Sequence, residues 1–188
     1  MSRQTYNGKT NHMWNQFNDF YNENLKSLYQ FVFFRVDCNS AEAEDLVSQV
    51  FMKAMKSFTE SPEKIELSKA WIYTIARNTI TDYYRYNSRR QNESIEEAHE
   101  MIATDDMTPS EDLVQTDLQQ KVREFINELS PQKAEVVTLR FINGFNHQEI
   151  ADLLKTTPGA VRVRLCTALK ELKRRVENNV AIKELFYG

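Results

Sequence analysis

Two stretches near the N-terminus repeat apolar residues every three or four positions, the spacing of one buried face on an α-helix. The first runs over residues 14–36, with a break predicted at the asparagines of residues 22–24. The second has its apolar face over residues 46–58 and has Ser40 placed to cap its first turn. The pattern then lapses over residues 57–69, which predicts a loop.

A third helix is predicted to begin near Ser68, and its composition changes at Thr81. Up to Ile80 it reads as a core helix, whereas the following sequence, TDYYRYNSRRQ, interleaves tyrosines with arginines. Such a mixture suits single-stranded or melted nucleic acid, because arginine tracks phosphate and aromatic rings stack on bases. The other interpretation, which these residues alone favour, is that Tyr83 and Tyr84 complete the core while the arginines solvate the helix end.

Residues 91–117 carry nine carboxylates and no lysine or arginine. The block also contains Pro109 and lacks aromatic residues, so it cannot bury enough apolar surface to order itself. It predicts a flexible acidic linker between two small helical domains. A solvated spacer is the commoner case, and an anionic strand that occupies a basic channel of a partner is the sharper alternative.

The C-terminal half, over residues 129–175, predicts short helices followed by a longer basic one. Asn146 can cap a helix that starts at His147, and Glu149 can reach back to form a capping box. Thr157 followed by Pro158 marks a second start, and that helix is predicted over residues 158–176.

The last helix separates an apolar face from its cations, in the manner of a DNA-reading helix-turn-helix. The alternative is the solvated face of an ordinary helical bundle. Five residues are predicted to face inward: Val161, Leu165, Ala168, Leu169 and Leu172.

Composition supports an all-α fold. The 188 residues are 41% hydrophobic and 27% charged, and only four glycines and four prolines are available for turns. The chain has no apolar run of membrane-spanning length, and its polar first twelve residues do not form a signal peptide, so we expect a cytoplasmic protein with Cys38 and Cys166 reduced. Neither a metal-ligand cluster, a catalytic constellation nor a cofactor motif is evident, which predicts a protein that is not an enzyme.

Three segments together resemble the extracytoplasmic-function (ECF) class of the bacterial sigma-70 family of RNA polymerase sigma factors. They are AEAEDLVSQVFMKAMKSF, AWIYTIARNTITDYYRYNSRR and LSPQKAEVVTLRFINGFNHQEIADLLKTTPGAVRVRL. The resemblance implies promoter-specific initiation, with the polymerase supplying the catalysis. It divides the chain into a polar extension (1–12), sigma domain 2 (13–90), an acidic linker (91–117), sigma domain 4 (118–178) and a tail (179–188).

The resemblance also implies partners and roles for individual residues. Domain 2 would bind the clamp helices of the polymerase largest subunit and melt the minus-ten element, domain 4 would read the minus-thirty-five element as duplex beside the polymerase flap, and an anti-sigma factor would hold both. The implied minus-thirty-five contacts are Arg162, Arg164, Thr157, Lys170 and Lys173. The implied minus-ten contacts are Asn78, Asp82, Tyr83, Arg85 and Arg89, with Glu60 and Ser61 in the base-capturing loop. The implied polymerase contacts are Asp45, Gln49, Lys53 and Lys56.

Three positions depart from the family pattern on the recognition helix. Ala160 stands where threonine is usual, Val163 where a small hydroxyl is usual, and Thr167 where a basic residue is frequent. These departures affect which promoter sequence is read. A different class of function, a helix-turn-helix regulator that does not enter the polymerase, would need a ligand pocket or phosphoacceptor in the N-terminal half.

Overall fold

The computed structural model describes the backbone of residues 3–93 and 117–178, and the side chains of residues 12–90 and 122–178. These parts of the chain are helical and contain no strand. The predicted linker, apart from its ends, and the predicted tail lie outside the described residues. The helices are α1 (Arg3–Phe33), α2 (Ser40–Glu60), α3 (Lys69–Glu93), α4 (Asp117–Asn127), α5 (Pro131–Val137), α6 (His147–Leu153) and α7 (Pro158–Asn178).

Helix α1 is continuous, so the break predicted at residues 22–24 was wrong. Asn24 is buried, and its side-chain amide donates to the carbonyl of Phe20 at 2.8 Å. An asparagine satisfied one turn back along its own helix does not interrupt that helix. The helix ends at Phe33, short of the predicted Val36.

The turn between α1 and α2 corrects a second prediction. Asp37 and Cys38 have left-handed φ values of 53° and 60°, and this reverses the chain just before α2. The N-cap is Asn39, whose side chain accepts the amide of Glu42 at 3.2 Å, so Ser40 is the first helical residue and not the cap.

Helices α1, α2 and α3 pack around one apolar core. Phe17 stacks on Phe58 with ring centroids 5.9 Å apart, and Phe31 packs on Tyr73 at 5.1 Å. Trp14, expected on the same face, is 49% exposed.

The second half contains the predicted helix-turn-helix, α6 and α7. The capping box is confirmed: the Asn146 side chain accepts the amides of Gln148 and Glu149, and Glu149 accepts the Asn146 amide. Thr157 also caps as predicted, since its hydroxyl accepts the amide of Ala160 at 3.2 Å. Lys155, at φ 51°, supplies the left-handed residue of the turn.

Helix α7 buries Val161, Leu165 and Ala168 against α5 and α6. Leu172 is partly buried, as predicted, whereas Leu169 is 44% exposed, so its predicted inward position was wrong. A narrow stripe packs against two short helices, and Leu169 falls at the edge of it.

One element of this half was not predicted. Residues Thr138–Ile142 form a π-helical turn directly after α5. Asn143 follows it, buried, and Gly144 then turns the chain at φ 74°. The turn points Asn143 toward α1, where its side-chain amide donates to the carbonyl of Ser27 at 2.7 Å.

The two halves pack on each other through α3 and this π-helical segment. Arg77 of α3 donates to Glu135 at 2.9 Å and to the carbonyl of Leu153 at 2.8 Å. The Tyr73 ring meets Phe145 edge to face, with centroids 4.9 Å apart. The described residues of both halves therefore share a mixed interface of charged, amide and aromatic contacts.

Lys69 closes one end of this interface. Its ammonium group donates to the carbonyl of Asn143 and lies 4.7 Å above the Phe145 ring. Burial lowers the pKa of Lys69, and the nearby Glu149 carboxylate partly opposes that shift. The cation is held by a carbonyl and a ring face, and no carboxylate of the described residues pairs with it directly.

None of the helices in residues 3–93 and 117–178 combines the length and the hydrophobicity that a membrane span requires. Over the same ranges, no group of three or more histidine, cysteine, aspartate or glutamate side chains is placed to hold a metal ion.

Candidate nucleic-acid interface

The N-terminal part of α7 presents cations to solvent. Arg162 is exposed and Arg164 is half-buried, with the 64% exposed Val163 between them. Arginine at this place in a helix-turn-helix can bond guanine bidentately or clasp a phosphate. The Thr157 hydroxyl is already used by the cap, although it can still donate its proton.

Further along α7, the cations divide into exposed and paired groups. Lys170 is exposed, and Lys173 makes only an exposed pair with Glu177 at 3.7 Å. Arg175, in contrast, is bonded to Glu128 and, at 3.0 Å, to Glu171. Arg175 therefore ties α7 to the end of α4, whereas the exposed cations Arg162, Lys170 and Arg174 remain available to a phosphate.

Helix α3 presents a second polar surface. Four of the five predicted minus-ten residues on this helix are exposed to solvent: Asn78, Asp82, Arg85 and Arg89. Tyr83 is half-buried. Asp82 and Arg85 are 3.8 Å apart, and both side chains are mostly exposed. An exposed pair at this distance contributes little and leaves Arg85 free to exchange partners.

The tyrosines of α3 are divided between packing and exposure. The Tyr83 hydroxyl donates to the Glu42 carboxylate, and burial together with this bond raises the pKa of Tyr83 to about 12. The Tyr84 hydroxyl donates to the carbonyl of Arg35. Both rings also pack against each other, with centroids 5.3 Å apart.

Tyr86 is the aromatic residue that sequence reasoning missed. It is 60% exposed, and the Arg90 guanidinium lies 5.9 Å from its ring centroid. Helical periodicity contained the signal, because Tyr83 and Tyr84 follow Ile80 by three and four residues and share its face. Tyr86 follows by six and falls on the opposite side.

Helix α2 continues through Glu60, so the loop predicted from residue 57 begins four residues later, at Ser61. Glu60 makes only an exposed contact with Lys56 at 4.0 Å, and Ser61 accepts the amide of Lys64 at 3.1 Å. Ile65 and Leu67 pack against the core and anchor the far side of the loop. Packing of Ile65 and Leu67 thus fixes the loop, while Glu60 and Ser61 lie at its polar side near solvent.

The predicted polymerase-binding residues lie on α2. Asp45, Gln49, Lys53 and Lys56 are all exposed, and the Lys53 ammonium also donates to Thr79 at 3.0 Å and joins α2 to α3. Sequence reasoning missed Met52, which is 63% exposed. Met52 borders an open apolar groove of about 850 Å³ between α1 and α2, whose lining includes Phe17, Tyr21, Leu25, Val47, Phe51 and Met55.

Two family models match the chain, and their positions follow the two halves of the structure. Residues 20–90 match Sigma-70 region 2, and residues 119–172 match Sigma-70 region 4. Both regions are therefore present, in this order, in one chain. The chain belongs to the ECF class of sigma-70 factors.

Curated relatives of this sigma factor are distant in sequence. It is 26% identical over 160 residues to ECF RNA polymerase sigma factor BldN of Streptomyces coelicolor, an alignment that covers 84% of this chain and 59% of BldN. It is 25% identical over 155 residues to ECF RNA polymerase sigma factor SigX of Bacillus subtilis, covering 81% of this chain and 79% of SigX. The chain thus spans less than two thirds of the BldN length.

Solved structures support the fold. The sigma factor RpoE of Bartonella quintana, in complex with the anti-sigma factor NepR, aligns with a TM-score of 0.63 and 27% identity, covering 85% of this chain and 97% of RpoE. CnrH, solved with the cytosolic domain of CnrY, aligns with a TM-score of 0.61 at 17% identity, covering 88% of this chain and 90% of CnrH. The sigma factor described here has their two-domain helical fold.

Proposed function

We propose that this chain is an alternative sigma factor that binds core RNA polymerase and directs promoter-specific initiation. The observation that carries the proposal is the presence of both sigma-70 regions in one chain, each with a helix, α3 or α7, that presents polar side chains to solvent. The catalysis belongs to the polymerase, so the chain itself is not an enzyme, and it acts in the cytoplasm where the polymerase works.

Helix α7 reads the minus-thirty-five element as duplex. Arg162 and Arg164 contact base edges or phosphates near its N-terminus, Thr157 contacts a phosphate beside the cap, and Lys170 and Lys173 follow the backbone. The exposure of Arg162 and Lys170 supports this assignment. Phosphate contacts fix the register of the helix while base contacts provide the sequence preference.

Helix α3 and the loop before it open the minus-ten element. Asn78, Asp82, Arg85 and Arg89 face the melted strand. Glu60 at the end of α2 and Ser61 at the start of the loop border the segment that captures an unstacked base. Removing a base from the stack costs a few kcal/mol, which the pocket must recover. Tyr83 acts as a positioning residue, because its hydroxyl bond to Glu42 fixes α3 against α2.

Helix α2 docks on the polymerase clamp. Asp45, Gln49 and Lys56 form the polar border of this contact, and Met52 with the adjacent groove forms its apolar part. Lys53 positions α2 on α3 through Thr79. An apolar centre with a polar rim is the usual composition of a stable protein interface. The flap is the proposed contact of the second half.

An anti-sigma factor is a proposed further partner. The solved RpoE relative is bound to its anti-sigma factor NepR, and this supports the proposal for a chain of the same class. The acidic residues 91–117 are proposed to connect the two domains inside the polymerase.

Binding to core polymerase tests the proposal against a regulator that does not enter the enzyme. Purified core polymerase should bind the fluorescently labelled full chain, and Met52→Glu should weaken that binding at least tenfold because it places a charge in the apolar contact. Lys26→Glu, at an exposed position of α1, is the control and should bind normally. If the wild-type chain does not bind core polymerase, the proposed function fails.

A further inference from the structure

A second cavity, of about 410 Å³, lies between the end of α1 and the second half of α3. Its lining includes three arginines, Arg35, Arg85 and Arg89, together with the hydroxyl-bearing residues Tyr84 and Ser88. Within the part of the chain that the structure describes, no carboxylate lines it. Asp82 pairs with Arg85 at 3.8 Å, but both side chains are exposed and the pair is weakly coupled. Burial and the nearby Asp37 carboxylate raise the pKa of Tyr84, which lines the cavity.

Arg35 comes from a different element than the other two arginines, and its position is fixed. It follows the end of α1, and its own carbonyl accepts the Tyr84 hydroxyl, so its backbone is tied to α3. Its guanidinium donates one bond, from Nη1 to the carbonyl of Pro131 at 2.9 Å. Its Nε is enclosed and makes no hydrogen bond. The guanidinium is therefore incompletely satisfied while it touches the second half of the chain.

We propose that Arg35, Arg85 and Arg89 together bind backbone phosphates of the promoter strand that α3 engages. This inference rests on the proposed function and adds to it a residue from outside the two DNA-facing helices. It also assigns Arg35 two competing acceptors, the Pro131 carbonyl when the halves are packed and a phosphate when DNA is bound.

The geometry suits a phosphate chain better than a free anion. Arg85 and Arg89 are one helical turn apart, about 6 Å along the axis, so they can contact two separate phosphates of one strand. The cavity is open to solvent and continues the exposed surface of Asn78 and Arg85. Arginine binds phosphate through a planar fork of donors, and a cavity without carboxylates does not oppose an anion.

Salt-dependent binding of a fluorescein-labelled, mixed-sequence single strand to the full chain measures the phosphate contacts. Arg35→Ala should weaken binding about five- to tenfold and should reduce the magnitude of the slope of log K against log salt by about 0.7, the value for one phosphate on a single strand. Arg35→Lys should keep most of the slope, because it keeps the charge. Lys26→Ala removes the same charge from an exposed position of α1 and should change the slope little.

The competition with Pro131 is tested by a double-mutant cycle. Arg77→Ala weakens the packing of the two halves and should release Arg35, so Arg35→Ala should cost more affinity in the Arg77→Ala background than in the wild type. Equal costs in the two backgrounds would contradict the competition.

Two further outcomes would overturn the site. The first is a slope for Arg35→Ala that matches Lys26→Ala, while Arg85→Ala and Arg89→Ala still lose binding; the proposed function then stands without Arg35. The second is saturable calorimetric binding of inorganic phosphate that depends on Arg35, which would make this a free-anion site instead of a DNA contact. The proposed function also fails if two results are found together. None of the substitutions changes the affinity for DNA, and the complex of the wild-type chain with core polymerase does not bind DNA.

Discussion

The guanidinium of Arg77 lies with its Nε 2.9 Å from Glu135 Oε1, and its Nη1 donates to the Leu153 carbonyl at 2.8 Å. Both side chains are mostly enclosed, with 29% of Arg77 and 11% of Glu135 exposed. A single side chain of α3 thus contacts both α5 and the end of α6. It joins residues that are far apart in the chain.

Loss of the Arg77 side chain should destabilise the packed arrangement. Arg77→Ala leaves Glu135 without its cation and the Leu153 carbonyl without a donor, so we expect a loss of about 1–3 kcal/mol in the free energy of unfolding. Urea denaturation followed by circular dichroism measures it. Lys56→Ala, which removes an exposed pair of 4.0 Å, is the control and should change stability by less than about 0.5 kcal/mol. Equal effects would contradict the role of Arg77.

The capping box at α6 offers a second stability test with a matched control. Asn146→Ala removes the acceptor for two helix amides, and should cost about 1 kcal/mol. Ser130→Ala alters the N-cap position of α5, where the side chain makes no capping bond, and should be close to neutral. If both substitutions cost the same in urea denaturation, the cap is not what positions α6.

Tyr73 links stability to pH. It is fully buried, its hydroxyl lies near Ser27 without a well-formed hydrogen bond, and burial raises its pKa to about 12. The unfolded chain releases this proton near pH 10, whereas the folded chain holds it to about pH 12. The contribution of protonated Tyr73 to the free energy of unfolding is therefore complete below pH 10, and it is lost as the pH rises toward 12.

Tyr73→Phe removes both the titration and the buried hydroxyl. At neutral pH we expect its stability to equal or exceed that of the wild type, because no good hydrogen bond is lost. Between pH 10 and 12 the wild type should lose stability faster, by up to about 1.4 kcal/mol per pH unit. Urea denaturation of both proteins across this pH range measures the effect. A constant difference in the free energy of unfolding between the wild type and Tyr73→Phe would contradict the account.

The two tyrosine environments of α3 predict different effects on DNA binding. Tyr86→Ala removes an exposed ring and should weaken single-strand binding by about 1–3 kcal/mol if a base stacks there. Tyr83→Phe removes only the hydroxyl bonded to Glu42, and should lower the Tm while leaving DNA affinity nearly unchanged. Fluorescence anisotropy and thermal melts separate the two, and a reversed pattern would reassign the stacking residue.

Arg162 tests sequence reading by α7. Arg162→Ala should weaken binding to the cognate minus-thirty-five duplex by about 1–3 kcal/mol if it makes a bidentate base contact. Arg174→Ala removes an equal charge about three turns further along the same helix, and should affect cognate and unrelated duplexes alike. An unchanged cognate preference in Arg162→Ala would remove this residue from the site.

Local sequence was sufficient where the physics is local. The capping box of Asn146 and Glu149, the Thr157–Pro158 start and the buried stripe of Val161, Leu165 and Ala168 all follow from short spacings. Among the caps named here, the prediction was wrong at α2. The left-handed turn at Asp37 and Cys38 places the cap one residue earlier, at Asn39 instead of Ser40.

Contacts between the halves could not be predicted in this way. Arg77 and Glu135 are 58 residues apart, and neither carries a spacing signal that points to the other. The π-helical turn precedes Asn143, whose bond to the Ser27 carbonyl joins residues 116 positions apart. Asn24 was predicted to break its helix, whereas its buried side chain bonds to the Phe20 carbonyl. Periodicity alone does not predict that burial.

The central claim is that this chain selects promoters for core polymerase, and genome-wide run-off transcription tests it most directly. Core polymerase and fragmented DNA from the source genome should yield, with the wild-type chain, transcripts that begin downstream of a shared pair of sequence elements. The same reaction with the double variant Arg162→Ala, Arg164→Ala should lose those starts. Transcripts identical with and without the wild-type chain would contradict the account.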